Sequence, residues 1–177
     1  METARKAQVR FASDGDAEAV AQLVSELGYF VDLKTIRSRL RKAMQSRSDR
    51  VIIAIDGGFP VGLIEIQYAT MLHLEKPIAR ITALVVRQGF RGRGIGSRLL
   101  EFAIAEAQRA GCSNLELTAG LARSEAHAFY RANGFDVTSF RFHRHISTLE
   151  RKRTVSKVLP AENRPEQTEH GKKARAV

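Results

Sequence analysis

The run Ile81-Thr82-Ala83-Leu84-Val85-Val86, followed after a short gap by Arg91-Gly92-Arg93-Gly94-Ile95-Gly96, decides how this chain is read. The first segment is apolar, as a buried strand is. From Ser97 to Gly111 the apolar residues Leu99, Phe102, Ala103 and Ala107 recur at helical spacing, continuing from Ile95. Strand, glycine-rich turn and helix is the order that builds an anion cradle. Glycines let backbone N–H groups approach a ligand closely, and the helix aims its positive end at the same point. The spacing R-x-x-G-x-G is neither the dinucleotide pattern G-x-G-x-x-G nor a P-loop, which ends in G-K-[ST]. A phosphate-bearing ligand other than NAD or ATP is therefore expected there.

Upstream, Val9 to Ala12 reads as a short strand. Val20, Leu23, Val24 and Leu27 mark a first helix that stops at Gly28, with Ser13 or Asp14 as its cap and Asp16 and Glu18 in its first turn. Asp32 can cap a second helix carrying Ile36, Leu40 and Met44. Its other positions hold Lys34, Arg37, Arg39, Arg41 and Lys42, a basic exposed face. Val51–Ile55 and Val61–Ala69 read as strands joined by an Asp56-Gly57-Gly58 hairpin, with a third strand over Ala79–Val86. Downstream come a strand over Asn114–Thr118, a helix from Ser124 to Ala132 ended by Asn133-Gly134, and one or two strands over Phe135–His145. This order predicts a mixed α/β fold with one core and no domain boundary before residue 147. From Thr148 apolar residues thin out, and residues 148–177 read as a basic, disordered tail.

The glycine segment resembles the coenzyme A pyrophosphate loop of the GNAT N-acetyltransferase family, whose pattern is [Q/R]-x-x-G-x-[G/A]. A second block, Ala126-His127-Ala128-Phe129-Tyr130-Arg131-Ala132-Asn133-Gly134-Phe135, resembles that family's A-x-x-x-Y-x-x-x-G-F segment. The two blocks occur in the family's order, and the resemblance extends loosely over residues 8–146. It implies a central mixed, mostly antiparallel sheet flanked by helices. It implies direct acetyl transfer from acetyl-coenzyme A to a primary amine of a small molecule, without an acyl-enzyme. The alternatives are a peptide or protein amine as acceptor, or a non-catalytic acyl-coenzyme A sensor.

The resemblance places the pyrophosphate on the backbone of Arg91, Gly92, Arg93, Gly94, Ile95 and Gly96, with Arg98 adding charge at the rim. It places the pantetheine arm along the backbone of Leu84, Val85 and Val86, whose side chains alone read as core. Tyr130 matches the tyrosine that donates to the leaving sulfur; a phenol is protonated at neutral pH. Many relatives have asparagine seven residues before it; here that position is Arg123, so the asparagine's contact does not carry over.

The base is read from the residues. Glu65 interrupts the apolar strand Val61–Ile66 and shares a face with Leu63 and Gln67. A carboxylate on a partly buried strand suits a general base, though a salt bridge to Arg80 on the next strand explains it equally well. His73, in the loop Thr70–Ile78, and water are the other candidates.

Composition bounds the rest. The 177 residues suffice for one sizeable core. No apolar run is long enough to span a membrane, and no secretory signal follows Met1, so cytoplasmic residence is expected. A single cysteine, Cys112, leaves no internal disulfide, and the five histidines lack ligand spacing, so no metal is expected. The net charge of +10 is spread along the chain. No aromatic stacking platform accompanies it, so nucleic acid is not expected as a partner. Relatives often dimerise, which leaves a homodimer open.

Overall fold

The computed structural model describes residues 7–146. Strand β1 (Gln8–Phe11) pairs antiparallel with β2 (Asp49–Asp56), β2 with β3 (Phe59–Ala69), and β3 with β4 (Ile78–Val86). The β2–β3 hairpin turns on Gly57 and Gly58, at φ of 58° and 88°, a region that costs glycine little. Strand β5 (Asn114–Leu117) adds parallel to β4 and completes the order β1-β2-β3-β4-β5. That one pair is parallel because a helix, α3 (Ile95–Arg109), occupies the connection and returns the chain to the starting edge. The sheet is thus mixed and mostly antiparallel, as expected.

Alternation along the strands sends side chains to two cores. Ile52, Ile64 and Ile66 meet Ile95, Leu99, Leu100 and Ala103 of α3 on one face. Ile53, Leu63 and Val85 meet Val20 and Leu23 of α1 (Ala17–Glu26) and Ile36 and Leu40 of α2 (Leu33–Gln45) on the other. Full burial of each such side chain contributes about 1.5–3 kcal/mol. Gly62 brings α3 close: a Cβ there would stand 3.0 Å from Leu99 Cδ1 and 3.2 Å from Ile95 Cγ2. Helix α4 (Ser124–Ala132) adds Phe129 and Tyr130 to the α3 side.

Asp32 caps α2 as expected, accepting from the Thr35 N–H at 2.9 Å. Asp16 stands at the entry to α1 and is buried there: Arg10 grips it at 2.8 and 2.9 Å, and the Ser13 N–H and hydroxyl both donate to it at 2.7 Å. The Arg10 guanidinium, with help from Ser13, lowers its pKa to about 2 against the cost of burial.

The chain divides after Ser139 into two units. No strand forms over residues 135–146, where one or two were expected; alternation makes a strand only when a ladder takes up its hydrogen bonds. The described part of the second unit, residues 140–146, is irregular, with Phe140, Phe142 and Ile146 exposed. The expected tail, 148–177, lies outside the described residues. No helix among the described residues is long and apolar enough to cross a membrane, and none of their acidic, histidine and cysteine side chains group as metal ligands.

Candidate active site

The site grows from the uneven lengths of β4 and β5. Their ladder ends at Ile81–Leu117, while β4 runs on to Val86. Residues 82–86 therefore have no strand beside them on that side among the described residues. The side chains of Leu84 and Val86 pack into the α3-side core and Val85 into the other, so only backbone faces the gap. A short 3-10 turn over Gln88–Phe90 then leads into the glycine loop.

Gly92 and Gly94 sit at φ of 74° and 75°, a left-handed conformation that the loop needs to turn into α3. Gly94 is the helix N-cap and brings no side chain to satisfy the first amides, and the first turn contains no acid. Four N–H groups at a helix start lack intrahelical partners. Around this positive end stand three further cations, Arg91, Arg93 and Arg98, a repulsive arrangement that a bound anion relieves. Arg98 Nη1 is buried with no hydrogen-bond partner among the described residues. An orphaned donor beside an uncapped helix start is a fit for a phosphate group.

The other loop side chains are already occupied. Arg91 Nε donates to the Val86 carbonyl at 2.9 Å, and Arg93 lies over the Phe90 ring at 5.0 Å from its centroid. Ile95 is core, leaving only its backbone to the loop. Gly96 has a packing reason besides: a Cβ there would stand 3.0 Å from the Phe129 ring. This close approach seats α4 against the loop and brings Tyr130 with it.

The Tyr130 ring packs edge-on between Phe129 and Phe135, with centroids 5.3 and 5.8 Å away. Burial pushes its hydroxyl pKa up, opposed by the charge of Arg123. The phenol therefore stays protonated through neutral pH, available as a donor.

Glu65 lies across the sheet from that helix, on the α1–α2 side with Leu63. A register shift sets it opposite Ala83 while Ile66 pairs Ile81, so Thr82 bulges and its hydroxyl donates to Glu65 Oε2 at 2.8 Å. The salt bridge to Arg80 does not form: the strand pairing turns Arg80 toward β5, where Glu116 takes it. His73 is exposed in the β3–β4 loop.

One feature escaped sequence reading. Glu26, the last residue of α1, reaches the turn before the glycine loop: it accepts from the Gln88 N–H at 2.9 Å and stands near both Arg87 and Arg91. Nothing local marks a contact across 62 residues. Helix α2 also lines an open groove of about 610 Å³ with Lys34, Arg37, Arg41 and Lys42. Arg41 is held by Asp14, whereas Arg37 Nε is buried without a hydrogen-bond partner among the described residues. That groove includes none of the loop residues 91–96, where the amides and cations converge.

Comparison with known proteins identifies the family. The sequence profile of the Acetyltransferase (GNAT) family matches residues 18–135. The aminoalkylphosphonate N-acetyltransferase of Salmonella typhimurium is 32% identical over 136 residues, covering 76% of this chain and 88% of its own. An aminoglycoside N(6')-acetyltransferase type 1 of Stenotrophomonas maltophilia is 29% identical over 135 residues, covering 73% of this chain and 86% of its own. The crystal structure of a GNAT family acetyltransferase from Staphylococcus aureus superposes with a TM-score of 0.68 at 22% identity, over 80% of this chain and 99% of that one.

Proposed function

This chain belongs to the acetyltransferase (GNAT) family, and from that premise we propose that it moves an acetyl group from acetyl-coenzyme A directly to the primary amine of a small molecule. The observation that carries the donor is the uncapped, arginine-ringed start of α3 beside the unpaired edge of β4. The pyrophosphate would lie on the amides from Arg91 to Gly96, with Arg98 meeting it, and the pantetheine amides along Leu84, Val85 and Val86. Acetyl-coenzyme A supplies the activated thioester.

The chain's own groups do the rest. An ammonium cannot attack, so Glu65 takes its proton, directly or through water, with Thr82 fixing the carboxylate. Tyr130 donates its hydroxyl hydrogen where the thiolate departs, and burial keeps that hydrogen in place at the working pH.

Charge narrows the acceptor. Helix α2 carries five cations and no acid, which repels a polycation and attracts an amine bearing a phosphonate or phosphate group. The similarity to the aminoalkylphosphonate enzyme supports the same class.

The test is thiol release from acetyl-coenzyme A over a panel of aminoalkylphosphonates, polyamines, amino acids, aminoglycosides and peptides, with wild type and Tyr130→Phe. Turnover of the phosphonates, about a hundredfold lower in the variant, is expected. Preference for an aminoglycoside or a peptide overturns the acceptor class, and failure to bind coenzyme A overturns the donor.

A further inference from the structure

We propose that Glu26 is a positioning residue that joins helix α1 to the cofactor loop and holds that loop ready for the anion. The inference rests on the reading of residues 91–96 as the coenzyme A cradle.

The turn Gln88–Phe90 opens with an amide that needs a cap, and its own N-cap residue is Arg87. A guanidinium only donates, so it cannot serve. Glu26 serves instead from the other end of the fold: its Oε2 accepts the Gln88 N–H at 2.9 Å. The same carboxylate lies 3.9 Å from Arg87 Nε and 3.8 Å from Arg91 Nη2. Gln22, one turn earlier on α1, accepts from Arg87 Nη2 at 3.0 Å. Arg91 is held at a second point by the Val86 carbonyl.

Three consequences follow from this arrangement. The turn that precedes the loop is pinned to α1 rather than hanging from β4 alone. The negative charge near both Arg87 and Arg91 offsets their mutual repulsion, and the Val86 carbonyl directs Arg91 along β4. Because Gln22 and Glu26 both belong to α1, a displacement of α1 reaches the turn through two side chains. At 3.8 Å the Glu26–Arg91 pair is loose, and Arg91 is more than half exposed, so the guanidinium can turn to an arriving phosphate while Glu26 keeps its hold on Gln88.

Amide hydrogen exchange of the ligand-free protein and calorimetric binding of coenzyme A, on wild type, Glu26→Ala and Glu26→Gln, test this. In Glu26→Ala we expect faster exchange confined to residues 87–94 and coenzyme A binding weaker by about five- to tenfold, with thermal stability close to wild type. In Glu26→Gln the amide oxygen still accepts from Gln88, so exchange and affinity return to within about twofold of wild type. Unchanged loop exchange and affinity in Glu26→Ala overturn the inference, as does a fall in stability that speeds exchange throughout the fold. A wild-type protein that does not bind coenzyme A overturns the cofactor reading itself, an outcome distinct from the other two.

Discussion

Gly96 and Gly94 are neighbours in one motif with different physical duties. At Gly94 the backbone is left-handed at φ 75° with open space around it, so a side chain is excluded by conformation. Gly94→Ala should cost about 1–2 kcal/mol of stability and weaken coenzyme A. At Gly96 the backbone is ordinary and the Phe129 ring at 3.0 Å excludes a Cβ. Gly96→Ala should cost about 1–3 kcal/mol, and Phe129→Leu, by making room, should return part of it. Urea denaturation of the single and double variants measures this coupling; strictly additive costs would contradict the contact. Glu65→Gln should lower kcat by about a hundredfold or more at neutral pH, and a variant with unchanged kcat would pass the base to water.

At the scale of elements, the entry to α1 is organised by a carboxylate that the helix does not own. Asp16 is held by Arg10 from β1 and by Ser13, with a pKa near 2 against 3.8 when free. A depressed acid contributes its stability above the unfolded pKa and loses it as pH falls through the folded one. Asp16 should thus add about 2 kcal/mol at neutral pH, lost between about pH 4 and pH 2. Asp16→Asn should flatten the stability–pH curve across that window, seen by chemical denaturation at a series of pH values. Tyr130 works in the opposite sense. Its hydroxyl pKa is raised by burial, so the alkaline fall in kcat due to its loss of a proton should come above the ordinary phenol value, and Tyr130→Phe should remove that limb.

At the scale of the whole molecule, charge has a use beyond solubility. The net charge is +10; five cations lie on α2, and Arg91, Arg93 and Arg98 lie around the start of α3. Capture of an anionic donor by such a field is expected to weaken with salt. The KM for acetyl-coenzyme A should rise between about 0.05 and 0.5 M salt, with kcat changing little. A salt-independent KM would mean that the loop amides carry the binding without help from the arginines.

The elements themselves were legible in one dimension, because they are local. The apolar periods of β2–β4 and α1–α4, the Asp32 cap, the Gly57-Gly58 turn and the glycine loop depend on neighbours a few residues away, and so does the family's pair of motifs. Other features had no local signal. The Glu26–Gln88 bond, Arg80's choice of Glu116 over Glu65, and the Phe129 ring against Gly96 all join distant segments. Which carboxylate meets which guanidinium follows from strand register and helix placement, and a one-residue shift in either would exchange the partners. The bulge at Thr82 is of that kind: the chain between Glu65 and Ala83 contains no marker for it, and it arises only once β3 and β4 lie side by side.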